Sequence, residues 1–312
     1  MSITCGVTQG SVLGPLLFLC YVNDMPISVD CKLLLYADDS ALLADGKDPV
    51  EIAAKLSKEL ESYQQWLIDN KLSLHLGKTE AILFGSNRKL KNHNEFNVMC
   101  NNEPIKSTQS VKYLGITLDK CLSGETVANN VIKKAGARLR FLYRQAHFLD
   151  LKTRKTLVTA LIQCYFDYSC SSWFSGLSKK LQNKLQVTQN KVVRFVLGLD
   201  SRTHVGQAEL DILVFLNVDD RVKQMKLNHV FNIFNNTSPG YLSEHFTKLS
   251  EIHRYNTRDS QLNFSIPRVR GQFGSNTFKF TGANAWNSLP GVIKSSNTHA
   301  YLKKKKLNLT SQ

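Results

Sequence analysis

The seven cysteines (Cys5, Cys20, Cys31, Cys100, Cys121, Cys164, Cys170) include no C-x-x-C pair and form an odd set. That argues against a disulfide framework and against a zinc ribbon or knuckle. The eight histidines show no metal-ligand spacing with them. Long apolar runs are also missing. The longest, Val12 to Val22, contains Gly14 and Pro15 and stops at Asn23-Asp24, short of the roughly 20 residues a bilayer span needs. No Lys or Arg precedes it, and no small-residue cleavage site follows it before Pro26, so it reads as part of the fold rather than as a signal peptide. There is no internal repeat and no long low-complexity stretch. These absences set the expectation of a reducing, intracellular, non-secreted protein without a membrane partner.

The 312 residues are 42% hydrophobic and 21% charged, which suits about two ordinary domains. Acidic residues are scarce in one part only. Residues 1–120 carry 12 basic and 14 acidic side chains, and residues 121–312 carry 28 and 11, so the +15 net charge resides entirely in the second part. An acidic head on a basic body suits metal-dependent chemistry on a polyanion; two unrelated domains would give the same asymmetry. In the head, Lys32 to Leu35 and Ser40 to Ala44 flank Tyr36-Ala37-Asp38-Asp39 and predict a β-hairpin with two carboxylates at its turn. Asp48-Pro49-Val50-Glu51 supplies an N-cap, an N1 proline and an N3 glutamate. The helix they open carries Ile52, Leu56, Leu60, Tyr63 and Leu67 on one face, to about Asn70. Further strands are expected at Leu72 to Leu76, Glu80 to Phe84 and Val111 to Leu118, and a polar basic loop at Asn87 to Asn94. In the body, helical spacing runs through Val127 to Leu142, Leu157 to Tyr168 and Leu177 to Phe195, with two more helices expected in 207–235.

Adjacent carboxylates at a rigid turn repel one another, and the usual relief is a divalent cation; Asp-Asp is also ordinary turn chemistry. A second segment narrows the choice. Gly6-Val7-Thr8-Gln9-Gly10-Ser11-Val12-Leu13-Gly14-Pro15 combines glycines that permit close backbone approach with an amide able to bond a base or sugar edge. Together the two segments resemble the reverse transcriptases of non-LTR, LINE-type retrotransposons, with Thr8 in place of the customary proline. Asn70 to Thr79, Tyr113 to Asp119, Asp167-Tyr168, Leu185 to Asn190, Pro239 to Leu242 and Ala285 to Pro290 extend the resemblance over nearly the whole chain.

That resemblance implies an RNA-directed DNA polymerase with two-metal nucleotidyl transfer by Mg²⁺ or Mn²⁺. Its partners would be an RNA template, a DNA primer or target, and dNTPs, in a nuclear or cytoplasmic ribonucleoprotein. It makes Asp38 and Asp39 catalytic metal ligands, Asp38 the stronger of the two. Lys78 becomes a proton donor or charge neutraliser, Gln9 and Gly10 template and nucleotide contacts, and Tyr113, Leu114 and Gly115 the primer grip. Lys133, Lys134, Arg138, Arg140 and Arg144, with the tail Lys303 to Lys306, suit phosphate contacts. The plainer alternatives are a solvated strand-edge lysine for Lys78, a core aromatic for Tyr113, a hydrogen-bonded structural aspartate for Asp167, and a solvated face for the basic helix.

The family's palm also uses an aspartate on a strand upstream of Gln9-Gly10. Met1 stands five residues before Gly6, so the expectation is a truncated palm without that carboxylate or the fingers, poorly active alone. A nucleic-acid-binding relic without catalysis is the alternative. The expected fold class is α+β, with a partial palm of antiparallel strands and packed helices over residues 1–120. A basic helical thumb-like region would follow over 121–235, and a C-terminal region over 236–312.

Overall fold

A computed structural model of the chain describes residues 10–90, 96–252 and 260–295. It is a mixed helix and strand structure. The chain divides into two units, Met1–Cys121 and Leu122–Gln312.

In the first unit the apolar run forms α1 (Gly14–Tyr21), with a proline in its first turn, followed by a single 3₁₀ turn at Met25–Ser28. No described helix is long and apolar enough to cross a membrane. The predicted hairpin is β1 (Lys32–Tyr36) paired antiparallel with β2 (Asp39–Leu43). Next comes α2 (Pro49–Asp69), whose cap Asp48 accepts the Val50 N–H at 3.1 Å. Pro49 fits its first turn because no intrahelical acceptor exists for that N–H. Ala53, Leu60, Tyr63 and Leu67 form its buried stripe, packed with Val22, Met25, Val29, Phe96 and Val98.

Three strand expectations are corrected. Leu72 to Leu76 is extended chain ending in a 3₁₀ turn, Leu76–Lys78. Its alternating leucines do pack on the core, but alternation selects an extended backbone, whereas a strand also needs a partner to satisfy its N–H and C=O groups. Glu80 to Phe84 shortens to β3 (Glu80–Ala81). The expected loop begins with one helical turn, α3 (Asn87–Leu90), and residues 91–95 lie outside the described part. The pair β4 (Met99–Cys100) and β5 (Glu103–Pro104) is antiparallel, whereas β6 (Lys106–Ser107) runs parallel to β3, with Lys106 Nζ 2.6 Å from Glu80 Oε1. Val111 to Leu118 is two strands, β7 (Ser110–Tyr113) and β8 (Ile116–Asp119), joined at Leu114-Gly115. Among the described residues the strands therefore form four two-stranded ladders, three antiparallel and one parallel.

Among its described residues the second unit has helices as its regular structure, with one isolated bridge between Lys248 and Phe264. It opens with α4 (Glu125–Tyr143), whose Ala128, Val131, Ala135, Leu139 and Leu142 are buried. The expected helix over Leu157 to Tyr168 is interrupted. After α5 (Leu151–Val158), Thr159–Gln163 is a π-helical turn, and α6 (Cys164–Asp167) ends where Tyr168 turns extended. Then come α7 (Cys170–Trp173), α8 (Lys179–Leu197), α9 (Gln207–Leu213) and α10 (Val218–Phe234). Short helices α11 (Gly240–Ser243), α12 (Leu249–Ile252) and α13 (Gln272–Ser275) precede α14 (Phe278–Asn287) and α15 (Gly291–Lys294). Trp286 and Phe264 are almost fully buried against Val230, Phe231 and Ile233 of α10. The indole N–H donates to Leu262 O at 2.9 Å, which satisfies the one polar atom that this burial would strand.

Candidate functional site

The β1–β2 register pairs Tyr36 with Asp39, leaving Ala37 and Asp38 as a two-residue turn. Ala37 sits at φ +52°, a left-handed conformation that costs an L-residue about 1–2 kcal/mol. The pairing sends Leu33, Leu35 and Leu42 to the core face, and Tyr36 with both aspartates to solvent. The hairpin thus packs on one face and meets solvent on the other, as antiparallel pairs commonly do. Asp38 and Asp39 are exposed, and neither forms a salt bridge among the described residues.

What braces this turn was not read from the sequence. Tyr63, buried on α2, donates its hydroxyl to Ser40 Oγ at 2.9 Å, one residue beyond Asp39. One turn earlier Glu59, 4% exposed, accepts the N–H groups of Asp30 at 2.6 Å and Cys31 at 3.1 Å, fastening the chain just before β1. The available signal was a carboxylate four residues before Tyr63, within the apolar stripe of α2. Helical periodicity alone assigns such a residue to no partner.

Gln9 lies outside the described residues. Gly10 has φ +82° and open space where a Cβ would stand, so backbone conformation rather than crowding is what favours glycine there. Lys78 ends the 3₁₀ turn, is exposed, and makes no ion pair with Asp38 or Asp39. Tyr113 is half-buried and faces Ile116 across the β7–β8 turn. Leu114 at φ +45° and Gly115 at φ +81° give that turn two left-handed residues, the requirement of a type I′ hairpin. Asp24 precedes the 3₁₀ turn at its N-cap position without a side-chain cap bond, and Asp30 lies in the loop before β1. Among the described residues no group of three His, Cys, Asp or Glu side chains could hold a metal ion. The two aspartates alone therefore do not make up a divalent-cation site.

In the second unit the five basic residues are exposed on and just after α4. At about 100° per residue, Lys133, Arg140 and Arg144 fall within about 40° of one another, opposite the buried stripe. Lys134 and Arg138 turn to one flank, where the ammonium stands 5.7 Å from the Tyr165 ring and the guanidinium Nε lies 3.5 Å from its hydroxyl. That hydroxyl raises the Arg138 pKa above its ordinary value. Asp167 is structural in its contacts. Its two oxygens accept Arg221 Nε at 2.9 Å and Nη2 at 2.8 Å, and Gln163 Nε2 reaches the same carboxylate at 3.1 Å. This pairing raises the Arg221 pKa. The tail Lys303 to Lys306 lies outside the described residues.

Residues 1–118 match the family described as reverse transcriptase (RNA-dependent DNA polymerase). The relatives it resembles are named as RNA-directed DNA polymerases or Pol polyproteins of non-LTR mobile elements, each matched over part of its length. It is 27% identical over 224 residues to the RNA-directed DNA polymerase from mobile element jockey of Drosophila melanogaster, covering 68% of this chain and 24% of that protein. It is 24% identical over 278 residues to the probable RNA-directed DNA polymerase from transposon X-element of the same fly, covering 86% and 29%. A third relative is the retrovirus-related Pol polyprotein from type-1 retrotransposable element R1 2 of Nasonia vitripennis. There the identity is 25% over 183 residues, covering 55% and 44%. The chain thus spans only about a quarter of the jockey and X-element proteins. No solved structure matches it significantly.

Proposed function

We propose that the first unit is part of a polymerase palm and the basic second unit its thumb-like and C-terminal portion, acting in RNA-templated DNA synthesis from a primer with dNTP substrates. The observation that carries this reading is the Asp38-Asp39 turn, exposed, strained at Ala37 and braced from α2, within the segment that matches the reverse-transcriptase family. Asp38 and Asp39 would be this chain's carboxylates toward Mg²⁺ or Mn²⁺, which would neutralise phosphate charge and activate a primer 3′-hydroxyl. Because no third His, Cys, Asp or Glu among the described residues joins them, the polypeptide on its own would be a weak or inactive polymerase. Gln9 and Gly10 would contact template and nucleotide, the Tyr113 to Gly115 turn would support the primer, and exposed Lys78 would meet the departing pyrophosphate. Lys133, Arg140 and Arg144 would track phosphates, with Lys134 and Arg138 beside Tyr165.

The test is primer extension on an RNA template with a DNA primer and Mg²⁺, beside Asp38→Ala and Asp39→Ala. Incorporation lost in either variant supports the catalytic reading. The shortfall in metal donors favours a second reading, a nucleic-acid-binding protein without catalysis. Salt-sensitive binding to template-primer with no incorporation would select it.

A further inference from the structure

We propose that a cleft of about 430 Å³ in the second unit binds one nucleotide of a single-stranded nucleic acid, its phosphate between Lys155 and Arg221 and its base against the Leu213–Leu216 wall. The proposal rests on the nucleic-acid reading above but concerns a cleft whose lining includes neither the Asp38-Asp39 turn nor the basic residues of α4.

One wall of the cleft comes from α5 and the π turn. Lys155, Thr159 and Gln163 recur every four residues and all line it. A π turn inserts an extra residue into the helix and re-aims the side chains after it, a device concentrated at functional sites. Facing it, α9 ends at Val214 with φ +55°, a conformation that is an outlier for a β-branched residue. Two backbone bonds hold the strain: Val214 N–H to Asp211 O at 3.0 Å and Phe215 N–H to Leu210 O at 2.9 Å. Buried Gln189 pins this wall by donating to Leu216 O at 2.8 Å. The result is an open apolar surface, with Val214 56% exposed, opposite a polar one.

The polar groups are arranged for an anion beside a hydrogen-bond donor. Arg221 is fixed by Asp167 and by Gln224 Oε1 at 2.9 Å, which takes three of its N–H groups and leaves two of its five free. Asp167 offsets its charge, so Lys155, which has no ion-pair partner among the described residues, supplies the uncompensated positive charge. Gln163 spends one of its two amide N–H groups on Asp167 and keeps its carbonyl oxygen as an acceptor. A volume of this size suits a drug-sized or nucleotide-sized ligand. The surrounding charge of the second part of the chain favours a polyanion. A duplex keeps its bases stacked inside, whereas a single strand can lay one base on an apolar and aromatic wall.

The test uses the full chain and fluorescence anisotropy with a labelled single-stranded oligonucleotide and a blunt duplex of equal length. Lys155→Glu is expected to weaken single-strand binding about tenfold and to lower the slope of log K against log salt by about 0.7. Phe215→Ala is expected to weaken it at least about fivefold, the loss of a stacking surface. Both variants should leave duplex affinity within about twofold, while Lys152→Glu, exposed on the same helix, should cost no more than about threefold on either. Single-strand binding by Lys155→Glu equal to wild type overturns the proposal, as does an equal loss from Lys152→Glu. If reversing Lys133, Arg140 and Arg144 weakens binding while Lys155→Glu does not, the cleft falls and the nucleic-acid reading survives. If the wild type binds neither probe, both fall.

Discussion

Glu59 carries a prediction that ties the candidate site to its support. Glu59→Ala strands the N–H groups of Asp30 and Cys31, which now bond a carboxylate at 2.6 and 3.1 Å in a nearly buried position. A hydrogen bond to a charged group is worth about 1.5–3 kcal/mol, and two N–H groups sharing one oxygen do not add fully, so the expected cost is about 3 kcal/mol. Glu59→Gln keeps an acceptor oxygen and loses only the charge, for about 1 kcal/mol. Because these bonds fasten the entry to β1, the loss should appear locally, as faster amide hydrogen exchange over residues 28–44. At 1.36 kcal/mol per decade, the alanine variant should exchange about 150-fold faster there and the glutamine variant about fivefold faster. Equal effects of the two substitutions, or a change under about threefold for alanine, would refute the assignment of Glu59 as the clamp.

Tyr63→Phe keeps the ring packing and removes the bond to Ser40, and should lower protection of β2 amides by about 1 kcal/mol. In the β7–β8 turn, Leu114→Asn should stabilise the hairpin by about 0.5–1 kcal/mol, since Asn-Gly suits two left-handed residues, while Gly115→Val should destabilise it; urea midpoints would separate the signs. Burial, with Asp167 adding to it, pushes the Cys170 thiol up to about 11 from 9.0. The folded chain then keeps a proton that the unfolded chain releases, so stability should fall between about pH 9 and 11 by up to about 3 kcal/mol. Comparing wild type with Cys170→Ala by urea unfolding at pH 8 and 10.5 isolates that share, and identical slopes would contradict it. At pH 8 a thiol reagent should label exposed Cys20 and Cys164 well before Cys170.

Local chemistry was enough, from the sequence, for those elements whose signals are local. The Asp48-Pro49-Glu51 start of α2, the stripe of α4 and the Ala37-Asp38 turn each need only residues within a few positions. So did the family resemblance, carried by contiguous motifs at the Asp38-Asp39 turn and around Gln9-Gly10. Tertiary structure alone decided the rest, because each remaining feature depends on a partner distant in the chain. Leu72 to Leu76 alternates like a strand and finds no ladder; Glu80 does find one, in Lys106, and the pairing is parallel. Glu59 reads as one more helical carboxylate until the backbone N–H groups of residues 30 and 31 arrive beneath it. Asp167 acquires its role from Arg221, 54 residues later. The cleft exists only because a π turn and a strained valine, neither visible in composition or period, face each other across packed helices. Periodicity determines which face of an element is apolar; which polar group satisfies which is settled only when desolvation makes an unpaired one too costly to leave.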